Sequence, residues 1–431
     1  MASPSILARE NLKVLAKGVQ AVVVLVPAAE PQDPAATPRE RAAARSVLKL
    51  VLGPENGVSA SLRPHNPVKE VAALRKADHA NVGSLPTAPL TRCQIIKLLD
   101  YSYDRKALEH IITLPLQALR LTEVLTASFA ADERAYAAGS QPPQARVSLS
   151  LFVRTAQGLL SALAHLHAQG ISHRDVKPAN IMLSWGGEPV LKDFGTAWDE
   201  AGAGDDIDPD EQGGGKTAKG KPKTTAVGTG PYRAPELLFG PNDYDPRALD
   251  LWGAGATLAE FFRQTGPYPV EPDSGPDSSD EELGAAVAAV AALKIGRRPS
   301  PTDNERTPLF NAAYGDLGLA GSIFRILGTP TKDSWPTFDS LPDAHKMFFD
   351  ERPAVPLASV LPGLNEEEEG DARADVVRVL GGLVRLEAAE RTSAADALAL
   401  LERTSLSPHA QDKAAAAFID SLLDAEAVKF A

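Results

Sequence analysis

Four short polar motifs, arranged in one order, constrain this chain more than any other sequence feature. The first is His173-Arg174-Asp175-Val176-Lys177-Pro178-Ala179-Asn180, and Asp193-Phe194-Gly195 follows thirteen residues after Asn180. Ala234-Pro235-Glu236 and Asp250-Leu251-Trp252-Gly253 come later in the chain. One such motif is a weak signal, since a lone Asp-Phe-Gly is more often only a turn. Four in order favour a fold that gathers polar loop residues into one site.

These motifs resemble the catalytic loop, the metal-binding triplet, the end of the activation segment and the following helix of the protein kinases. The resemblance implies an α+β, two-lobed fold, with a small N-terminal β-rich lobe carrying one regulatory helix and a larger, mainly helical C-terminal lobe. It covers residues 10–405, divided near residue 116, with an insert near 265–315 in the second lobe. A helical tail is expected over 406–431.

The same resemblance assigns chemistry to individual residues of the motifs. Asp175 would accept the proton of a substrate hydroxyl, and Lys177 would reach the transferring phosphate. Asn180 and Asp193 offer oxygen ligands for Mg²⁺. Phosphoryl transfer builds charge on phosphate oxygens, so such a site needs metal ions and fixed cations more than covalent groups. ATP and Mg²⁺ are therefore the expected cofactors.

The first third of the chain has mostly strand-like patterns with one helix. Pro67–Lys76 has apolar residues at near-helical spacing and a proline suited to a first turn. The Ala/Pro/Glu-rich stretch from residue 27 to 45 is expected to be a solvated loop. The predicted strands are Val22–Val26, Ser46–Leu52, Gln94–Leu99 and His110–Leu114.

Farther along, a long apolar helical pattern runs from Ser148 to a point before Gly170. Two stretches, Asp199–Lys223 and Glu271–Glu282, carry too few apolar residues to offset chain entropy and are expected to be unfolded.

Kinases hold the α- and β-phosphates with a strand lysine that a helix glutamate orients, and Lys49 and Glu70 match those two positions. The glycine-rich loop departs from the family pattern, because Ala16 and Ala21 replace two of its three glycines. Side chains there limit how closely the backbone approaches phosphates, so we expect weaker gripping of the nucleotide. The resemblance gives these nucleotide-binding residues: Gly18, Val23, Lys49, Glu70 and Met182.

The segment that would face adenine, the hinge, is expected near Thr113–Leu116. Pro115 lies within it and has no N–H, which would remove one possible donor to adenine.

The chain is most similar to the cyclin-dependent kinase branch, on the segments Tyr232–Gly240 and Ser322–Thr331. The helix around Glu70 lacks the Pro-Ser-Thr-Ala-Ile-Arg-Glu type of cyclin-contact sequence, and Trp198 stands where arginine is common. With the degraded glycine loop, these features are similar to the fungal monomeric kinases that activate cyclin-dependent kinases. The resemblance implies a monomer that phosphorylates the activation-segment threonine of a cyclin-dependent kinase and needs no cyclin of its own.

Three further positions follow from counting along the family pattern. Thr229 matches the threonine that contacts the catalytic aspartate, and Thr224 matches the usual activating phosphothreonine, which Arg174 could pair. Thr224 is equally well explained as a plain loop residue. Arg391 matches the arginine that forms a structural ion pair with Glu236.

The charge, the cysteine count and the N-terminal sequence limit the partners and the cellular compartment that we expect. A formal net charge of -12 argues against a nucleic-acid partner and against attraction to anionic membranes. The single cysteine, Cys93, excludes an internal disulfide and a multi-cysteine zinc site. The N-terminus lacks a signal-peptide pattern, and no apolar run approaches the roughly 20 residues that span a bilayer. We expect an intracellular protein, in the cytoplasm, the nucleus or both.

Two alternatives remain open at this point. One is an ordinary cyclin-dependent kinase that requires its own cyclin. The other is a weakly active or non-catalytic scaffold, which the missing glycines and Pro115 would favour, although the complete set of charged kinase residues argues against it.

Overall fold

The computed structural model describes most of the chain's residues. They are residues 12–27, 36–57, 63–79, 95–128, 144–201, 223–241, 243–263, 307–364, 366–404, 406 and 413–430. Most of the expected insert near 265–315, the stretch Glu271–Glu282, and the greater part of Asp199–Lys223 lie outside this set.

The N-terminal lobe is built on a five-stranded antiparallel sheet with the order β1-β2-β3-β5-β4. Val47 of the sheet's third strand, Leu74 of the lobe's longer helix and Ile112 of the fifth strand belong to one buried core. The elements are β1 (Lys13–Lys17), β2 (Val22–Leu25), α1 (Pro38–Ala43), β3 (Ser46–Leu52), α2 (Pro67–His79), β4 (Asp100–Asp104) and β5 (Glu109–Pro115).

The C-terminal lobe is mainly helical, as predicted. Its short strands form two small sheets, β6-β8-β9 and β10-β7, and the first two polar motifs lie in the segments between these strands. The strands are β6 (Leu119–Arg120), β7 (Ile171–Ser172), β8 (Ile181–Leu183), β9 (Pro189–Leu191) and β10 (Trp198–Asp199). The helices are α3 (residues 121–128), α4 (Gln144–Ala168), α5 (Pro246–Ala259), α6 (Gly315–Leu327), α7 (Glu366–Leu383), α8 (Ala394–Arg403) and α9 (Lys413–Ala427).

Helix α4 confirms the long apolar pattern before Gly170, since its Phe152, Leu159 and Leu163 are buried in the core. Helix α9 lies within the tail predicted over 406–431. The limits assigned to the domains themselves stay predictions. Among the described helices, none combines the length and apolarity that crossing a membrane requires.

The expected loop over residues 27–45 is wrong in its second half, where α1 forms. Thr37 caps this helix: its side chain accepts from the Glu40 N–H, and the Glu40 carboxylate accepts from the Thr37 N–H at 2.8 Å. Pro38 occupies the first turn, where a missing N–H costs nothing. The Thr-x-x-Glu signature of a capping box was present in the sequence and outweighs the loop-like composition.

The predicted strand Gln94–Leu99 is also wrong. Within residues 95–99 the backbone contacts to strands are an isolated bridge from Ile95 to Leu191 and a hydrogen bond from the Leu99 N–H to the Thr113 carbonyl at 2.9 Å. The strand forms instead at Asp100–Asp104, whose Asp-Tyr-Ser-Tyr-Asp sequence has no apolar run to reveal it. It is an edge strand held partly by Tyr101 and Tyr103, which pack around the His110 ring on β5.

The predicted pair of Glu236 and Arg391 is present and buried. The guanidinium donates to both carboxylate oxygens, each at 2.7 Å, and also to the Ala248 carbonyl in α5. It lies 5.1 Å from the centre of the Trp252 ring. The pair thereby fixes the end of the Ala-Pro-Glu motif against α5 and the segment before α8.

Candidate active site

The fourth motif holds the first in place. Asp250, fully buried in α5, accepts hydrogen bonds from the backbone N–H groups of His173 at 2.8 Å and Arg174 at 2.6 Å. One turn along α5, a side chain at Gly253 would place its Cβ only 2.7 Å from the Val176 carbonyl oxygen. The glycine therefore allows the helix to approach the loop closely, and the aspartate fixes the loop's conformation.

The first motif also contacts the second. His173 donates through Nε2 to the Lys192 carbonyl at 2.9 Å, and its ring meets Phe194 edge to face at 4.8 Å between centres. The loop that carries Asp175 and the triplet that carries Asp193 are thus fixed relative to each other.

Asp175 lies at the centre of a cluster of donors. The Thr229 hydroxyl donates to its carboxylate at 2.5 Å, Lys177 Nζ approaches to 2.7 Å and Asn180 Nδ2 to 3.0 Å. Lys177 also donates to Thr229 Oγ1 at 2.6 Å. The predicted contact between Thr229 and Asp175 is confirmed, and the carboxylate is held in one orientation by three groups.

Lys49, Glu70 and Asp193 form a chain of charges across the two lobes. Lys49 Nζ lies 2.8 Å from both Glu70 oxygens and 2.7 Å from Asp193 Oδ1. The helix glutamate therefore faces the strand lysine in the isolated chain.

Burial and the opposite charges nearby shift the pKa values of these three groups in opposite directions. Burial alone would raise the pKa of Asp193, but Lys49 and Lys192 outweigh it and hold that pKa well below its ordinary value. Burial would lower the pKa of Lys49, but Asp193 and Glu70 outweigh it and raise that pKa above its ordinary range. Burial, assisted by Asp193, raises the pKa of Glu70 although Lys49 opposes it. At neutral pH, Asp193 is ionised and Lys49 is protonated.

A cavity of about 580 Å³ lies between the lobes at these residues. All five residues expected to bind a nucleotide line it: Gly18, Val23, Lys49, Glu70 and Met182. Lys177, Asn180 and Asp193 line it as well. Asp175 is not among the lining residues, but it contacts Lys177 and Asn180 at the edge of the cavity.

The loop between β1 and β2 is a tight turn. The Gly18 N–H donates to the Ala21 carbonyl at 2.9 Å, and Val19 at the tip is fully exposed. Ala16 pairs with Val23 in the ladder between the two strands. The Gly18 amide is thus used inside the turn. Weaker gripping of phosphates by this loop stays a prediction.

The hinge lies slightly farther along than predicted, since residues 114–118 line the cavity and Thr113 does not. Both backbone groups of Leu116 form hydrogen bonds within the protein. Its N–H donates to the Arg45 carbonyl, and its carbonyl accepts from the Trp185 indole, each at 2.9 Å. Successive residues of an extended chain point to opposite sides. The backbone groups of Pro115 and Gln117 therefore lie on the side opposite to those of Leu116, and both residues line the cavity. The Pro115 carbonyl and the Gln117 N–H are available on that side, whereas Pro115 has no N–H to donate there.

Arg174 and Thr224 are connected through Tyr244. The guanidinium donates to the Thr196 carbonyl at 2.7 Å and the Tyr244 hydroxyl at 3.1 Å, and the hydroxyl donates to the Thr224 carbonyl at 2.6 Å. Arg174 also lies over the Trp198 ring, 5.4 Å from its centre. Phosphorylation of Thr224 stays a prediction.

The sequence reasoning missed how the start of α2 is attached. Asn66 caps this helix with its side chain, which accepts from the Val68 and Lys69 N–H groups at 2.9 and 3.1 Å. Its backbone N–H donates to the Gly195 carbonyl at 2.9 Å. An asparagine directly before Pro67 is a recognised helix start, so this signal was available in the sequence.

The residues at the cavity suit a small divalent cation held partly by phosphates. In the part of the chain that the structure describes, no group of three or more His, Cys, Asp and Glu side chains could enclose a metal alone. Asn180 donates through Nδ2 to Asp175, which turns its oxygen away from that carboxylate. With the ionised Asp193, this gives two hard oxygen donors, and Mg²⁺ usually takes one or two protein ligands plus substrate phosphates.

Comparisons with known proteins agree with this arrangement. The protein kinase domain family matches residues 61–399. Cyclin-dependent kinase 20 of Mus musculus is 31% identical over 242 residues, which is 56% of this chain and 51% of the relative. Serine/threonine-protein kinase csk1 of Schizosaccharomyces pombe is 30% identical over 206 residues, 48% of this chain and 51% of the relative. The chain spans about half the length of these relatives.

A solved structure supports the fold over nearly the whole chain. A chain of the CAK complex from Chaetomium thermophilum, bound to ATP-γ-S, aligns with a TM-score of 0.58 and covers 91% of this chain and 90% of its own length. Its sequence identity is 20%, so this likeness concerns the fold alone. Because the family pattern extends over well over half of the sequence, the chain belongs to the protein kinase family, and its similarity is to the cyclin-dependent kinase branch.

Proposed function

We propose that this chain is a serine/threonine protein kinase that transfers the γ-phosphate of ATP to a protein hydroxyl. One observation carries the proposal: Lys49 pairs with both Glu70 and Asp193 on the wall of a cavity that Lys177 also lines, and Asp175 contacts Lys177 at its edge. Pockets for small-molecule ligands typically measure about 300–1,000 Å³, and this cavity of about 580 Å³ falls within that range.

The base and the phosphates of ATP each have counterparts in the cavity. The Pro115 carbonyl and the Gln117 N–H suit the edge of adenine, and the protonated Lys49 suits the phosphates. Asn180 and Asp193 would hold Mg²⁺, which when bound neutralises charge on the phosphate oxygens.

The catalytic loop supplies the remaining groups. Asp175 accepts the proton of the incoming hydroxyl, and Thr229 holds its carboxylate in orientation. Lys177, 2.7 Å from that carboxylate, adds positive charge where the phosphate is transferred.

A transfer assay tests this function against the scaffold alternative. The purified chain is incubated with Mg²⁺ and γ-labelled ATP together with a serine/threonine peptide and a matched tyrosine peptide. We expect label on serine or threonine only, and a rise in melting temperature with Mg²⁺-ATP. A scaffold would give neither the label nor the shift.

We further propose the finer role of activating cyclin-dependent kinases without a cyclin of its own. The sequence resemblance to fungal activating kinases supports it, as does the way the chain holds α2. In the cyclin-dependent branch a partner normally positions the helix glutamate. Here α2 is attached by Asn66 to Gly195, by Lys76 to Asp199 at 2.6 Å, and by the Ala77 carbonyl to His165 at 3.1 Å.

Removing the cap of α2 should lower the activity of the free chain. Asn66→Ala leaves two N–H groups without their acceptor, at a cost of about 1 kcal/mol, which corresponds to about fivefold in kcat/KM if helix position limits activity. Asn66→Asp keeps an acceptor at the same place and serves as the matched control. Steady-state kinetics without cyclin measure both, and equal activity in the two variants would contradict the role of this contact.

A further inference from the structure

The wall of the cavity includes residues from the far end of the chain. Glu426 in α9 and Phe430 after it both line the cavity, more than 300 positions from the hinge. They also lie beyond residue 399, where the match to the protein kinase domain family ends. Nothing in the family pattern therefore accounts for their position.

Helix α9 is attached to both lobes beside the hinge. Its Ile419 and Leu423 are buried, and Ile419 lies against Gly187 of the turn between β8 and β9. On the N-terminal side, Arg39 of α1 pairs with Asp420 at 2.9 Å. The same arginine donates through Nε to the Trp185 carbonyl at 2.5 Å. The helix therefore lies across the junction between the lobes.

The residues after α9 then reach the N-terminal sheet. Arg45, at the start of β3, donates to the Phe430 carbonyl at 3.0 Å. Lys13 of β1 donates to the Lys429 carbonyl at 3.4 Å and places its Nζ 5.0 Å from the centre of the Phe430 ring. The backbone and the ring are thus held by β1 and by the residue directly before β3.

The ring of Phe430 also reaches the hinge side of the cavity. It meets the Trp185 ring edge to face, with 6.1 Å between centres, and the Trp185 indole is the group that donates to the Leu116 carbonyl. Leu15 of β1 and Gln117 of the hinge line the same cavity. Phe430 therefore stands at the mouth, between β1 and the hinge, where a planar base held by the hinge would have its outer edge.

We propose that Glu426 and Phe430 form the outer wall of the nucleotide site, with the Phe430 ring covering the purine. This inference rests on the proposed use of ATP. An aromatic ring against a base contributes affinity through stacking and exclusion of water, independently of the phosphates. It supplies nucleotide contacts at a site whose loop between β1 and β2 has alanine at two of the three glycine positions.

The test measures Mg²⁺-ADP binding to the full chain by titration calorimetry. Phe430→Ala should raise Kd by about tenfold, the usual scale of one stacked base. Val428→Ala is the matched control, since Val428 is 70% exposed in the same segment, and it should bind like the wild type. Melting temperatures without nucleotide check that both variants are folded.

A second variant separates covering of the base from mere bracing of the lobes. Phe430→Trp keeps a large ring, so its Kd for Mg²⁺-ADP should stay within about threefold of the wild-type value. The fluorescence that the new tryptophan adds should change as Mg²⁺-ADP is titrated, and the change should give the same Kd. Val428→Trp should show no such added change.

The outcomes are distinct. This inference would be overturned if Phe430→Ala bound Mg²⁺-ADP as tightly as the wild type does, or if the emission added by Phe430→Trp did not change when ADP binds. The proposed function would still stand in either case. A wild-type chain that binds no Mg²⁺-ADP would overturn the proposed function as well.

Discussion

Asp175→Asn should lower kcat by at least about 10²-fold, the low end for a positioned general base. The amide cannot accept the hydroxyl proton, and it also presents a donor to a site already filled by donors from Lys177, Thr229 and Asn180. KM for ATP should change little, because Asp175 lies at the edge of the cavity and not on its wall.

Steady-state kinetics over a range of ATP concentrations measure the two constants separately. Asp339→Asn provides the control, as it makes the same chemical change at an exposed aspartate of the C-terminal lobe. A kcat within a few-fold of the wild type would mean that Asp175 is not the base.

Asp193→Asn should remove nearly all Mg²⁺-dependent transfer, a loss of at least about 10³-fold, because a bound metal supplies several kcal/mol of transition-state stabilisation. The substitution keeps the size of the side chain while removing its charge. Asparagine also tolerates the left-handed backbone of this position, where φ is 68°. Loss of activity would therefore reflect the missing carboxylate and not backbone strain.

A binding measurement gives a readout besides activity. ADP should bind the wild type more tightly when Mg²⁺ is added, and Asp193→Asn should lose that dependence. Melting temperatures of the two proteins without nucleotide check folding. Unaltered Mg²⁺ dependence in the variant would exclude Asp193 as a ligand of the metal.

The positions of the charged residues could be predicted from the sequence because the motifs that carry them are contiguous. Asp175, Lys177 and Asn180 lie within eight residues of one another in a loop whose backbone Asp250 holds, so their order in the chain nearly fixes their order in space. Lys49 and Glu70 were predicted from the resemblance to the kinases, which implies a lysine on a strand and a glutamate on a helix that follows it. Each of these residues does lie within a single strand or helix.

Other features depend on contacts between distant parts of the chain, and no local pattern reveals them. Which backbone groups of the hinge are directed to the cavity depends on Arg45 and Trp185, because these two residues form hydrogen bonds with both backbone groups of Leu116. Phe430 reaches the cavity only because α9 is attached to α1 and to Trp185. Strand β4 is polar because it forms the sheet edge, so an apolar-run criterion misses it.

The most direct measurement is phosphorylation of an inactive cyclin-dependent kinase by the purified chain with Mg²⁺ and ATP, its monomeric state verified by light scattering and no cyclin added for it. We predict that one phosphoryl group appears on the activation-segment threonine of the substrate, located by mass spectrometry, and that Lys49→Ala abolishes it. Transfer that begins only when a cyclin is supplied would contradict the cyclin-free role, and absence of transfer to any serine or threonine would contradict the kinase function itself.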